Sequence, residues 1–571
     1  MKRGIRRVPA LWRASRLLRR WYHARSDAYP DWPAILASEP ERWENARRSA
    51  AGGPRVLMAT SIGSYAHAIT LESALAAALT FRGAEVHTLL CDAALPACAE
   101  CEASLYPNLA RFARQGPQSD LCRDCLWPAE RVYRSLGITV HRYSDWLFPD
   151  DKAQAREIAA SLPFAAIQGY VRDGIAIGEH AYAGALRFFA SGSLDDEPQG
   201  EAVLRRYLES ALLTATATTR LLRGVGFTST VFTHGIYVPW GLVGAVARRE
   251  GVRVATWNVA YRKRRFIFSH DDTYHHTLMT EPRAHWESLV LTETQERELM
   301  QYLASRREGL FDWIVFNRAR KDDPKELAAR IGLDPSKPVI GLLTNVSWDA
   351  QLHYPANAFP NMLEWLVRTC EYFATRPDLQ LLIRVHPAEI SGFPPSRQPI
   401  LRELARRLPQ LPPNIRVVPP ESRMSTYGLM SLCNAAIIYG TKMGVQLTSV
   451  GKPVIVAGEA WIRNKGLTSD ASSPEEYIRL LDQLPFAQGL GPELLARARR
   501  YAYHFFFNRM IPLPFIEPKA GYPIYRLKLE RLQQLLPGAS AGLDTLCEGV
   551  LGARPFVMTD RDAPLTDLVA S

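Results

Sequence analysis

Short apolar runs, each stopped by a glycine or a polar turn and most followed by helical periodicity, constrain this chain more than any other feature. They are "PRVLMAT" (54–60), "TVFTHG" (230–235), "KPVIGLLT" (337–344), "LQLLIRVHP" (379–387), "AAIIYGTKMG" (435–444) and "KPVIVAG" (452–458). Apolar runs of this length between turn signals suit strands buried on both faces, and intervening helices make the connections parallel crossovers. After the first run, "ITLESALAAALTFRG" predicts a helix ending at Gly83 and "EVHTLLCD" a second strand. The expectation is an α/β chain with two facing Rossmann-like domains, in which polar residues at the carboxyl ends of strands look into a binding crevice.

At 571 residues and 47% hydrophobic content the chain has room for such domains. No run approaches the roughly eighteen apolar residues that a membrane span needs. The net charge of +11 is concentrated: residues 1–26 hold nine Lys/Arg and no acid, which leaves +2 for the rest. That argues against a nucleic-acid-binding body. In the tail, Leu11, Trp12, Leu17, Leu18 and Trp21 interleave with arginines. The pattern fits a segment lying on an anionic membrane surface, with a solvated basic tail as the alternative. No secretory signal is evident, so the expected location is cytoplasmic, peripheral on the inner face of the membrane.

Cys98, Cys101, Cys122 and Cys125 form "CAEC" and "CRDC", separated by twenty residues. Two CxxC knuckles are the ligand pattern of a four-cysteine zinc site, and four thiolates leave no open position for catalysis. The expectation is a structural zinc and no catalytic metal; an iron–sulfur cluster or four unrelated thiols are the alternatives.

The predicted organisation is a basic tail (1–50), an N-terminal Rossmann-like acceptor domain (51–290) with a cysteine-rich insertion at about 91–126, and a helical connection (291–335). A C-terminal Rossmann-like donor domain (336–485) and a helical segment (486–571) follow. Gly440, Thr441 and Lys442 fall between a strand end and a helix start, where a nucleotide phosphate would meet free N–H groups. They are not a Walker loop, since six residues separate Gly444 from Gly451 and Pro453 follows Lys452. Arg384, His386 and Pro387 in "RVHP", and Arg463 and Lys465 in "WIRNKG", are expected on the same rim.

Taken together, "THGIYVPWG", "LQLLIRVHPAE" and "YGTKMGVQLTSVGKPVIVAGEAWIRNKG" resemble the bacterial capsule polysaccharide biosynthesis proteins, which include capsular Kdo transferases. The likeness covers roughly residues 230–470. It implies a GT-B glycosyltransferase that moves a sugar from a nucleotide-activated donor, CMP-linked favoured and UDP-linked possible, to a saccharide or glycolipid acceptor. Many GT-B enzymes hold the ribose with a glutamate in the helix after the phosphate turn. Here Gln446 stands at that place, and Glu459 lies past the next strand.

A transferase needs an acceptor hydroxyl deprotonated from the first domain. The candidates are His234, His67, and Asp173 or Glu179 in "YVRDGIAIGEHA". The histidines and acids of "SHDDTYHH" (269–276) are expected in an acceptor loop, since the adjacent aspartates lack the usual spaced pair. The rival expectations are a nucleotide-sugar epimerase of the same shape and a non-catalytic, zinc-stabilised assembly factor.

Overall fold

The computed structural model describes residues 28–106, 108–117, 119–306, 311–313, 323–349, 352, 356–392 and 394–558. The basic tail, and the membrane contact expected of it, lie outside them. The first domain is built from β1 (Arg55–Ser61), α1 (Ala66–Thr80), β2 (Glu85–Leu90), α2 (Ser119–Ser135) and β3 (Thr139–Arg142). Next come α3 (Ile177–Phe189), α4 (Gly200–Val225), β4 (Ser229–Thr233), α5 (Trp240–Arg249), β5 (Arg253–Val259), β6 (Arg265–His270) and α6 (Tyr274–Thr280). The second domain contributes β7 (Val339–Leu343), α7 (Met362–Ala374), β8 (Gln380–Arg384), β9 (Ile415–Val418), β10 (Ala435–Ile438), α8 (Met443–Ser449), β11 (Val454–Val456) and β12 (Ser469–Asp470). The chain continues through α9 (Pro492–Tyr503), β13 (Ile511–Pro512) and α10 (Ala541–Leu551).

Two sheets result. The first has the order β13-β6-β5-β4-β1-β2-β3, with β1 to β5 parallel and β6 antiparallel to β5. The second, β12-β11-β10-β7-β8-β9, is parallel throughout. Both are doubly wound α/β layers, and the pair is the GT-B arrangement. In each the strand order reverses beside the first strand, between β1 and β4 and between β7 and β10, which opens a crevice at the carboxyl edge. Side chains close both crevices from within: Trp240 Nε1 donates to Thr60 O at 3.0 Å, and Asn345 Nδ2 donates to Gly440 O.

Burial follows the sequence pattern. Every residue of α1 is buried, as befits a helix that is apolar on all sides and covered by sheet and helices. Its one acid, Glu72, accepts from Trp257 Nε1 at 2.8 Å and bonds Thr60 Oγ1 at 2.5 Å, and burial pushes its carboxyl up to about 7. One apolar cluster runs through both domains, from Ile267 and Leu278 to Ile438, Ile462 and Phe506. Lys465, wholly buried, staples the domains by donating to Met279 O at 3.0 Å and Glu281 O at 3.1 Å.

Two expected boundaries change. Within the expected helical segment (486–571), the described residues 486–558 are not a separate unit: the chain leaves the second domain through α9 and returns to the first. There β13 pairs antiparallel with β6 (Ile511↔Phe266), and α10 packs beside α1. The cysteine segment is more than an insertion, because Cys122 and Cys125 lie in α2, the crossover helix leading from β2 to β3. Among the described residues no helix is long and apolar enough to cross a membrane.

Candidate functional site

The carboxyl ends of β4 and β7 bring the two domains together. β4 ends at Thr233, and His234 follows in the left-handed region (φ 66°), with Gly235 likewise (φ 81°). That turn places the His234 ring between Tyr237 and Tyr274, with centroids 4.8 and 5.6 Å away. His234 Nδ1 is buried and meets no hydrogen-bond partner among the described residues. Burial holds this imidazole down to about 4, so it is neutral at pH 7 with a proton acceptor to offer.

Asp349, from the loop after β7, reaches across. Tyr237 Oη donates to Asp349 Oδ1 at 2.9 Å, and the Arg187 guanidinium lies 5.5 Å from the Tyr237 ring centroid. The Asp349 charge acts on His234, His275 and His386, imidazoles that come from both domains. All three are held down to about 4, chiefly by burial.

On the second domain's rim, His386 Nδ1 accepts from Ala388 N–H at 3.1 Å. In the neutral ring this fixes the proton on Nε2, a donor. Pro387 precedes the short helix Ala388–Ser391. Glu459 Oε2 lies 3.4 Å from His275 Nε2, while its Oε1 has no partner among the described residues. Burial, with Asp272 and Glu179 nearby, pushes the Glu459 carboxyl up to about 9, so it is protonated at pH 7. Arg463 gives Nη2 to Ser472 Oγ at 2.9 Å but leaves Nε and Nη1 buried and unpartnered among the described residues.

Other expected residues are placed differently. Gly440 is needed for close approach, since a Cβ there would lie 2.7 Å from Glu459 O. Thr441 Oγ1 accepts from Met443 N–H at 3.3 Å, bridging the turn that leads into α8, whose N-cap is Lys442. Lys442 Nζ sits 3.7 Å from the centroid of the Tyr261 ring, and burial lowers its pKa well below the usual range. The turn is close-packed and leads into α8, which is seven residues long. Arg384 donates to Pro419 O and Ser422 O, tying down the loop after β9. Gln446 Oε1 accepts from Tyr427 Oη at 2.6 Å, and its Nε2 is buried without a partner among the described residues.

Of the candidate bases, His234 alone lies in this histidine cluster. His67 Nε2 accepts from Ile524 N–H at 3.2 Å, and its ring packs on Tyr522 and Tyr525, so it anchors the returning C-terminal segment. Asp173 lies near Arg172 (3.8 Å) and Arg249 (4.0 Å), lining a cavity of about 470 Å³ with Arg220 and Arg223. Arg249 ends α5 just before β5 begins, which puts Asp173 at the sheet edge opposite the cleft. Glu179, in the first turn of α3, adds its charge to the field at Glu459. The "SHDDTYHH" side chains diverge: His270 bonds Arg554 O at 3.0 Å, Asp272 pairs with His276, and His275 faces Glu459. Asp349, Tyr237 and Arg187 are the residues here that sequence reasoning left out of the site, while His275 belongs to the loop (269–276) expected to bind the acceptor.

The fold defines a class: two-domain, doubly wound α/β proteins of GT-B arrangement. No family model matches the chain, and no curated protein matches it. Among solved structures it is similar to a beta Kdo 2,4 transferase, KpsC, from Thermosulfurimonas dismutans, with 14% identity and a TM-score of 0.35 over 55% of this chain and 88% of that one. It is also similar to a UDP-GlcNAc 2-epimerase from Neisseria meningitidis bound to UDP-GlcNAc (10% identity, TM-score 0.24, 79% and 95% covered). A third is the spinosyn rhamnosyltransferase SpnG complexed with spinosyn aglycone (13% identity, TM-score 0.23, 79% and 95% covered).

Proposed function

We propose that this chain is a glycosyltransferase that takes a sugar from a nucleotide-activated donor held by the second domain. Its acceptor is a saccharide or glycolipid of capsular type, held by the first. The observation that carries the reading is neutral His234 at the carboxyl edge of one sheet, its buried Nδ1 without a partner among the described residues and its ring within the field of Asp349 from the other. In the reaction the acceptor hydroxyl gives its proton to His234 as its oxygen bonds the anomeric carbon. The bond from that carbon to the donor phosphate breaks, and its electron pair leaves with the phosphate. The nearby Asp349 carboxylate favours the imidazolium that forms. Arg463 Nε and Nη1, unpartnered among the described residues, are donors for the developing phosphate charge, with His386 on the same rim. Protonated Glu459 adds a neutral donor beside them without repelling it.

The capsule-family resemblance favours a cytidine-linked sugar. The test is a thermal-shift panel of CMP, CDP, UDP, GDP and ADP, followed by a nucleotide-release assay with and without oligosaccharide acceptors. A nucleotide at 100 times its dissociation constant stabilises by about 2.7 kcal/mol. The largest shift is expected with a cytidine nucleotide, a smaller one in His386→Ala, and nucleotide release only with acceptor. Sugar epimerisation without acceptor would replace this reading with the epimerase. No shift with any nucleotide would replace it with a non-catalytic role.

A further inference from the structure

We infer that Cys98, Cys101, Cys122 and Cys125 bind one zinc ion, and that this site braces the acceptor side of the cleft. The first knuckle is already formed. Cys101 N–H donates to Cys98 O at 2.9 Å, and the two Sγ atoms are 3.9 Å apart. Two sulfurs each about 2.3 Å from one tetrahedral ion lie about 3.8 Å apart, so this pair needs almost no adjustment. Cys122 and Cys125 are three residues apart on α2, hence on one face of its first turns. Ser64 N–H reaches Cys125 Sγ, and a Cβ on the adjacent Gly63 would collide with Cys125 O, so the second pair packs against the loop after β1, whose end Ser61 bonds Cys91.

Two sulfurs also carry donors of the kind that stabilise a metal-bound thiolate. Ser64 N–H points at Cys125 Sγ (3.3 Å), and Tyr106 Oη donates to Cys101 Sγ (3.5 Å). Among the described residues no three such side chains yet lie close enough to share an ion. Binding must therefore draw the start of α2 towards the knuckle. Cys91, whose N–H donates to Ser61 O at 2.7 Å, sits alongside as a fifth thiol and is not a ligand in this proposal.

The brace follows from the residue inside the first knuckle. Ala99 N–H donates to Val238 O at 2.9 Å, and Ala99 O accepts from Arg187 Nη1. Val238 belongs to the turn that carries His234 and Tyr237, and Arg187 stacks on Tyr237. Tyr207 Oη adds a bond to Cys98 O at 3.0 Å. Fixing the two sulfurs fixes Ala99, and Ala99 holds the turn.

The test uses the full chain, purified under reducing conditions from zinc-supplemented medium. Elemental analysis is expected to find one zinc per chain, retained in Cys91→Ser and lost in a Cys98→Ser/Cys122→Ser double variant. Should the double variant not fold, the wild type suffices: a mercurial should release its zinc, and cobalt exchanged into it should show thiolate charge-transfer absorption. Hydrogen exchange over residues 234–240 should quicken when the zinc is stripped, a readout independent of turnover. A folded, reduced chain without metal, iron with acid-labile sulfide, or unaltered zinc in a folded double variant would each overturn the site. Unchanged exchange over 234–240 would overturn the brace.

Discussion

At the cleft the second domain's edge mixes side chains tied to the protein with others, such as Arg463, left unmet among the described residues, whereas the first domain's edge presents one strained, unmet histidine. On the second domain's side, cations that look like ligand contacts are largely tied to the protein itself: Lys465 to Met279 and Glu281, Arg384 to Pro419 and Ser422. On the first domain's side, His234 has its backbone strained into the left-handed region and its Nδ1 left without a partner. Burial alone does not distinguish a binding group from a bracket, since both kinds are buried here. An unmet hydrogen bond adds a pointer, because a buried polar atom without a partner costs about 1–3 kcal/mol, but it does not decide alone: His67, an anchor, also keeps a buried Nδ1 without a partner among the described residues.

Replacing His234 should give the sharpest contrast. His234→Asn keeps a residue type that tolerates a positive φ and removes the base. Turnover is expected to fall by about 10² to 10⁴ with little change in melting temperature. Equal transfer rates for variant and wild type would sink the assignment of His234. Lys465→Met should behave the other way round. It leaves two buried carbonyls without their donor, so stability should fall by about 2 kcal/mol in a denaturant titration while the refolded fraction keeps its donor affinity.

Acid should expose the same asymmetry more gently. His67, His141, His180, His234 and His275 of the first domain are held down to about 4, against His386 alone in the second. Unfolded histidines titrate near 6.5, so between those values the unfolded chain binds more protons. The stability is present above about pH 6.5 and is lost as pH falls towards 4. Glu72 and Glu459, pushed up to about 7 and about 9, act in the opposite sense and lose stability as pH rises from about 4.5. Below pH 6.5 the histidines outnumber them. Melting temperature should therefore drop from pH 6.5 to 5, with hydrogen exchange quickening first in the first sheet. Uniform quickening across both sheets would count against the asymmetry. The smallest effect is expected at Asp173, whose side chain is 70% exposed at the opposite edge. Asp173→Asn should alter stability by no more than about 0.5 kcal/mol and leave turnover unchanged.

Much of the architecture was legible because buried parallel strands leave continuous apolar runs, and these end where the crevice begins. His234 and His386 could be found for that reason. Asp349 could not be singled out: its loop reads as polar from Asn345 onward, and nothing local says which residue crosses to the other domain. Arg384 and Lys465 look like Arg463 in sequence, since charge type does not reveal whether a carbonyl or a ligand receives the donor. β13 was missed because two residues, one of them proline, carry no periodicity.

That small strand has a consequence for how the chain is made. β6 is complete once residue 270 has been synthesised, but its outer edge pairs with residues 511–512. About 240 residues must be added in between, which at 5–20 residues per second takes roughly 12 to 50 seconds. For that interval the first sheet has an open edge of the kind that invites pairing with other chains. The second domain, whose strands all fall within that stretch, is finished before the first can close. A ribosome therefore releases the two lobes in the reverse of their order along the sequence.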